Sequence, residues 1–143
     1  MTLMTSLPAA SALDAPDVSD RGCVLVLEDD AALLSALQFA LEAEGYRVLT
    51  FSDQMEMLSA QDVVSSASCA VLDYRVGPLN GLEVFALLQS RGMKAPAILI
   101  TSTPDAHCRQ EAARLGVELV EKPLLTNALS QKIAQLIGAR RGR

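Results

Sequence analysis

The sequence predicts an α/β protein, a doubly wound parallel sheet of five strands with helices on both faces. Three observations predict it. Short apolar runs recur along the chain, beginning with Cys23-Val24-Leu25-Val26-Leu27, and unbroken runs of this kind suit strands buried on both faces. Between them lie segments with an aliphatic residue at every fourth position, the spacing of one helix face. Strand and helix signals alternate five times, an order that implies right-handed crossovers and parallel strands. At 143 residues and 50% hydrophobic, the chain has enough material for one domain with a real core.

Residues 1–21, rich in Ala, Ser, Pro and Asp, read as a flexible N-terminal extension. The folded domain is expected over 22–138. Cys23–Leu27 is the first strand. Asp30 caps a helix over Ala31–Glu44, with Leu33, Leu37 and Leu41 on one face and Gly45 as its left-handed stop. Tyr46–Phe51 is the second strand and 53–62 a weaker helix, with the Met55, Met57 and Leu58 group read as core packing. Cys69–Asp73 is the third strand. A Gly77-Pro78 turn leads to a helix over Gly81–Ser90. Ala97–Thr101 is the fourth strand. Thr103-Pro104 reads as an N-cap followed by proline at the first helical position, and Gly116 closes that helix. Val117–Val120 is the fifth strand, and the last helix runs from about Leu125 to Ile137. Residues 139–143, with Arg140, Arg141 and Arg143, read as a short, frayed basic tail.

Composition excludes several classes. Trp is absent and Phe plus Tyr are few, so the core is aliphatic. A net charge of -5 argues against a nucleic-acid binder, which needs a basic footprint. Residues 1–20 hold no Lys or Arg for a secretory signal, and the apolar runs are too short to span a membrane. Cys23, Cys69 and Cys108 form no C-x-x-C pair and read as free thiols in a reducing cytoplasm. His107 beside Cys108 reads as a helix-surface coincidence rather than a ligand pair.

Five such units commonly adopt strand order 2-1-3-4-5, the flavodoxin-like arrangement, with a ligand crevice beyond the carboxyl ends of strands 1 and 3. Strand 1 ends in Glu28-Asp29-Asp30, strand 3 in Asp73 and strand 4 in Thr101-Ser102, while Glu121-Lys122-Pro123 follows strand 5. Carboxylates gathered in one crevice repel unless a cation neutralises them. Mg²⁺ suits the need, because it takes one or two carboxylates and leaves room for a phosphate oxygen. Lys122 and Thr101 then suit a phosphoryl group, and Asp73 could be a nucleophile giving an aspartyl-phosphate. Plainer readings exist for each. Asp30 reads as a helix cap, Ser102 as a small-residue filler, Thr101 as a β-branched strand residue, and Arg75 and Thr103 as solvated side chains.

With these residues in order at their strand ends, the sequence resembles the receiver domain of two-component response regulators, of the single-domain, chemotaxis-regulator-like kind. Glu28-Asp29, Asp73 in Val71-Leu72-Asp73-Tyr74-Arg75, Asn80-Gly81-Leu82-Glu83, Thr101 after Ile98-Leu99-Ile100, and Lys122-Pro123 carry the resemblance, over residues 22–138. The resemblance implies that Asp73 is the phosphoacceptor and that Lys122 and Thr101 bind the phosphoryl group. It further implies Mg²⁺ held by Asp29, Asp73 and the backbone carbonyl of Arg75, with Glu28 acting through water. Arg75 and Thr103 would tune the phosphoryl lifetime, and the Lys122–Pro123 peptide would be cis. One position departs from the pattern: the residue three before the lysine is usually Tyr or Phe, and here it is Leu119, so the aromatic switch is missing.

The expectation is a stand-alone cytoplasmic receiver, phosphorylated by a sensor histidine kinase or a histidine phosphotransfer protein and signalling through protein contacts rather than catalysing a reaction on outside substrates. The face of the fourth helix, fifth strand and fifth helix is the expected partner site and possible homodimer surface, with no direct nucleic-acid or membrane contact. The alternatives are a receiver fragment of a larger regulator or hybrid kinase, and a phosphatase-like hydrolase with Asp73 as its nucleophile. The hydrolase would need a second acid near the nucleophile, and position 75 is Arg.

Overall fold

The structure, a computed structural model, describes residues 21–124 and 128–141. The expected extension over 1–21 lies outside the described residues except for Arg21, as does Arg143.

Five strands, β1 (Cys23–Leu27), β2 (Arg47–Phe51), β3 (Cys69–Asp73), β4 (Ala97–Thr101) and β5 (Glu118–Glu121), pair in parallel in the order β2-β1-β3-β4-β5. Period-two alternation sorts their side chains to two faces. Cys23, Leu25 and Leu27 join one apolar cluster, and Val24 and Val26 join the other. Helix α1 (Ala31–Ala43) and helix α6 (Ala128–Arg141) cover the Val24 face through Leu37, Leu41, Leu129, Ile133 and Ile137. Helices α2 (Gln54–Ser59), α3 (Gln61–Ser66), α4 (Gly81–Ser90) and α5 (Ala106–Leu115) cover the other. Every residue of β1, β3 and β4 is buried, as the unbroken apolar runs require.

β1, β3, β4 and α4 keep their expected bounds. Elsewhere the backbone corrects the reading. The single helix over 53–62 is two short helices, because Ala60 leaves the helical region at φ -87, ψ 63. β2 starts at Arg47, since the Tyr46 amide still closes the end of α1 on the Leu41 carbonyl at 3.2 Å. β5 is shifted one residue, to Glu118–Glu121. The cap of α5 is Asp105, not Thr103: its carboxylate accepts from the Cys108 amide at 2.8 Å, which places Pro104 outside the helix. The expected start of the last helix at Leu125 lies outside the described residues. Its end moves from Ile137 to Arg141, with the exposed Gly138 inside the helix rather than at its end. Arg140 and Arg141 are therefore helical, and Arg140 donates to the Ala67 carbonyl at 3.3 Å. Met57 and Leu58 are core residues, but Met55 is 65% exposed.

Candidate functional site

The parallel order brings the carboxyl ends of β1, β3 and β4 side by side. Just beyond β1, Glu28 is 1% exposed, and its Oε2 accepts the Asp30 amide at 3.0 Å. Asp29 is exposed at the crevice mouth. Asp30 turns away to cap α1, accepting from the amides of Ala32 and Leu33 at 3.0 and 3.1 Å. Asp73, the last residue of β3, is 5% exposed, and its Oδ1 accepts the Arg75 amide at 3.2 Å. Carboxylate oxygens of Glu28, Asp29 and Asp73 all lie within 4.8 Å of one another.

Lys122 enters this cluster from beyond β5. Its amide donates to the Thr101 carbonyl at 2.8 Å, which ties the end of β5 to the end of β4. The Lys122–Pro123 peptide is cis. The ammonium stands 3.2 Å from Asp73 Oδ2 and 3.0 Å from Glu28 Oε1. The first contact is a hydrogen bond; the second is an ion pair without hydrogen-bond geometry, and Glu28 Oε1 is buried with no hydrogen-bond partner. Burial disfavours the ammonium, but Glu28 and Asp73 outweigh it and raise the Lys122 pKa. Thr101 is 2% exposed, one position beyond the Ile100 that pairs with Asp73.

The close approach of three carboxylates around a single ammonium fits a small hard cation. Two oxygens bound to one Mg²⁺ stand at most about 4.2 Å apart, close to the spacing of this cluster.

The wall of the crevice is built by close approach. A Cβ on Gly81, the first residue of α4, would stand 2.6 Å from the Asp73 carbonyl oxygen and 2.7 Å from Leu99 Cδ1, so only glycine fits. Asn80 caps the helix in a two-way box with Glu83, at 2.9 and 2.8 Å. The Tyr74 ring packs against the apolar cluster, and the exposed Arg75 guanidinium lies 5.4 Å from its centroid. Thr103 and Ser102 are exposed between β4 and α5. Leu119 is half-buried opposite Leu99, packed on the α2–α5 side of the sheet.

The sequence reading placed Glu28, Asp29, Asp73 and Lys122 together, and the structure brings them together. It missed Gln54, a buried polar residue held to the loop before α4. No sequence signal marks it beyond its place after the Asp53 cap. His107 is exposed on α5, and all three cysteines are buried and free. Among the described residues no helix is long and apolar enough to cross a membrane.

A sequence profile of the response regulator receiver domain matches residues 24–134. The chain is 31% identical over 121 residues to the transcriptional regulatory protein FixJ of Bradyrhizobium diazoefficiens, covering 84% of this chain and 58% of that protein. It is 29% identical over 112 residues to the transcriptional regulatory protein TdiR of Thauera aromatica, covering 78% and 49%. The chain thus spans about half the length of these relatives. Among solved structures, the signal receiver domain of a modulated diguanylate cyclase from Desulfovibrio desulfuricans is 31% identical with a TM-score of 0.73, covering 84% of this chain and 96% of that one. A CheY-like receiver protein from Methanospirillum hungatei, 20% identical, shares the fold with a TM-score of 0.75 over 84% and 96% of the two chains.

Proposed function

The chain belongs to the response regulator receiver family, and from that membership we propose that Asp73 accepts a phosphoryl group from a phosphohistidine donor in a Mg²⁺-dependent reaction. Proteins of this family are signalling proteins rather than conventional enzymes, and histidine kinases phosphorylate them. The observation that carries the reading is the Lys122 ammonium held between two buried carboxylates from different strands, Glu28 and Asp73.

In this reading a carboxylate oxygen of Asp73 forms the new P–O bond while the donor's P–N bond breaks. The donor imidazole leaves with that electron pair and takes a proton from solvent. Asp29, Asp73 and the Arg75 carbonyl would hold Mg²⁺, with Glu28 acting through water, and the ion supplies neutralising charge at the phosphoryl oxygens. Lys122 turns from the Asp73 carboxylate to a phosphoryl oxygen, as a point charge for the developing negative charge. The Thr101 hydroxyl donates to another. Arg75 and Thr103, both exposed at the rim, are placed to affect how water reaches the acyl phosphate. The protein catalyses only its own phosphorylation and dephosphorylation, in the cytoplasm, and signals through protein contacts that include the face of α5, β5 and α6.

The test is incubation with Mg²⁺ and acetyl phosphate. The parent gains one hydroxylamine-sensitive phosphoryl group, and Asp73→Asn, which keeps the shape but loses the nucleophile, gains none. Equal labelling of Asp73→Asn overturns the reading.

A further inference from the structure

Gln54 opens α2, directly after Asp53 caps that helix by accepting the Met55 amide at 2.8 Å. Although polar, it is 5% exposed. Its carboxamide is spent on one partner. Nε2 donates to the Leu79 carbonyl, and the Leu79 amide donates back to Oε1 at 3.3 Å. This two-way pairing imitates a backbone partner, so a side chain from α2 serves as a strand for one residue of a loop. The loop is moulded around it: a Cβ on Gly77, whose φ is +108, would stand 3.0 Å from Gln54 Cδ.

That loop leads from Asp73 to α4. An antiparallel bridge between Arg75 and Asn80 closes its mouth, and the Gln54 carboxamide fixes its far side. At its near end the Arg75 amide donates to Asp73 Oδ1 at 3.2 Å. The peptide planes between Asp73 and Leu79 are therefore pinned at both ends.

We propose that Gln54 is a positioning residue for the cation site, holding the 75–80 loop so that the Arg75 carbonyl is presented to the ion. The inference rests on the reading of Asp29, Asp73 and the Arg75 carbonyl as the protein ligands. Mg²⁺ demands near-ideal octahedral geometry, so a carbonyl ligand on an untethered loop binds it poorly. With Gln54 removed, the Leu79 amide and carbonyl lose their buried partner and the loop loses its tie to α2.

The test compares the parent with Gln54→Met, which keeps the side-chain volume but neither hydrogen bond, and with Asp29→Asn. Two readouts are used: Mg²⁺ affinity by calorimetry, and hydrogen exchange of the Leu79 amide without the ion. Gln54→Met is expected to fold with a lowered Tm, because two hydrogen bonds are lost, to exchange the Leu79 amide faster, and to bind Mg²⁺ about tenfold more weakly. If Gln54→Met does not fold, Gln54→Asn, too short to reach Leu79, carries the same expectation. A Gln54 variant with the parent's isotherm, while that of Asp29→Asn is shifted, overturns the positioning role alone. If the parent and Asp29→Asn bind Mg²⁺ alike, the ligand reading fails and the positioning role falls with it.

Discussion

The Lys122 ammonium and the Asp73 carboxylate meet at 3.2 Å across 49 positions of sequence, joining the far end of β5 to the middle strand of the sheet. The Lys122 side chain is 20% exposed, so the pair is poorly screened. Replacing it by methionine leaves two buried carboxylates facing each other. Lys122→Met should lose ~1–3 kcal/mol of stability without divalent ions, read by urea unfolding, and recover part of it in Mg²⁺. The direction with pH follows from the raised Lys122 pKa. The pairing stabilises fully below the ordinary value of 10.5 and is lost as pH rises through the higher folded value. Urea midpoints of the parent and Lys122→Met should therefore converge only above pH 10.5.

Asp29 is the exposed member of the acidic cluster, and its removal costs no core packing. Asp29→Asn should raise the urea midpoint in the absence of divalent ions, because one of three mutually repelling carboxylates is neutralised, while weakening Mg²⁺ binding and slowing phosphorylation by acetyl phosphate. A Mg²⁺ titration checks it.

Gly81→Ala sets two effects against each other. Alanine is the better helix former by about 1 kcal/mol. Its Cβ, however, would stand 2.6 Å from the Asp73 carbonyl oxygen, an atom of a central strand that cannot retreat. Overpacking typically costs ~1–3 kcal/mol, so net destabilisation of that order or less is expected in urea, with slower phosphorylation because Asp73 shifts.

The three free cysteines are buried. Burial pushes the Cys69 thiol up to about 12 and raises those of Cys23 and Cys108. A thiol reagent at pH 8 should find none reactive in the native protein and all three after unfolding. The sign for stability is again negative with rising pH. The unfolded chain gains thiolate from about 9 while the folded chain holds Cys69 neutral to about 12, so unfolding becomes easier across that interval.

Leu119 stands opposite Leu99 and packs inward on the α2–α5 side. With neither a ring nor a hydroxyl to exchange between an exposed and a buried state, coupling of Asp73 to the α5–β5–α6 face should be at or below ~1 kcal/mol, the low end of allosteric couplings. Partner or self-association titrations with and without beryllofluoride check this, and Leu119→Tyr should strengthen the effect.

Strands bounded by polar residues were legible in the sequence. β1, β3 and β4 are apolar runs that stop at Glu28, after Asp73 and at Thr101, and burial on both faces demands that pattern. The crevice was legible for the same reason, since a parallel order places strand ends together. Less legible were choices between near-equal local signals. Thr103-Pro104 and Asp105 both offer a start for α5, and the carboxylate that reaches the Cys108 amide decides. Ala60 carries no Gly or Pro signal, yet its backbone divides α2 from α3. Gln54 was invisible because its partner is 25 residues away, and only folding reveals that a polar side chain is buried there.

The charges around Lys122 have a further consequence. Three carboxylates and one ammonium leave the crevice two positive charges short of electroneutrality. A divalent ion alone would close that deficit, and phosphorylation of Asp73 would reopen it by making the site more anionic. Ion and phosphoryl group should then tighten each other's hold by the same factor, as reciprocal linkage requires. The free divalent-ion concentration would thereby set how much of the protein a given donor can keep charged, independently of any kinase.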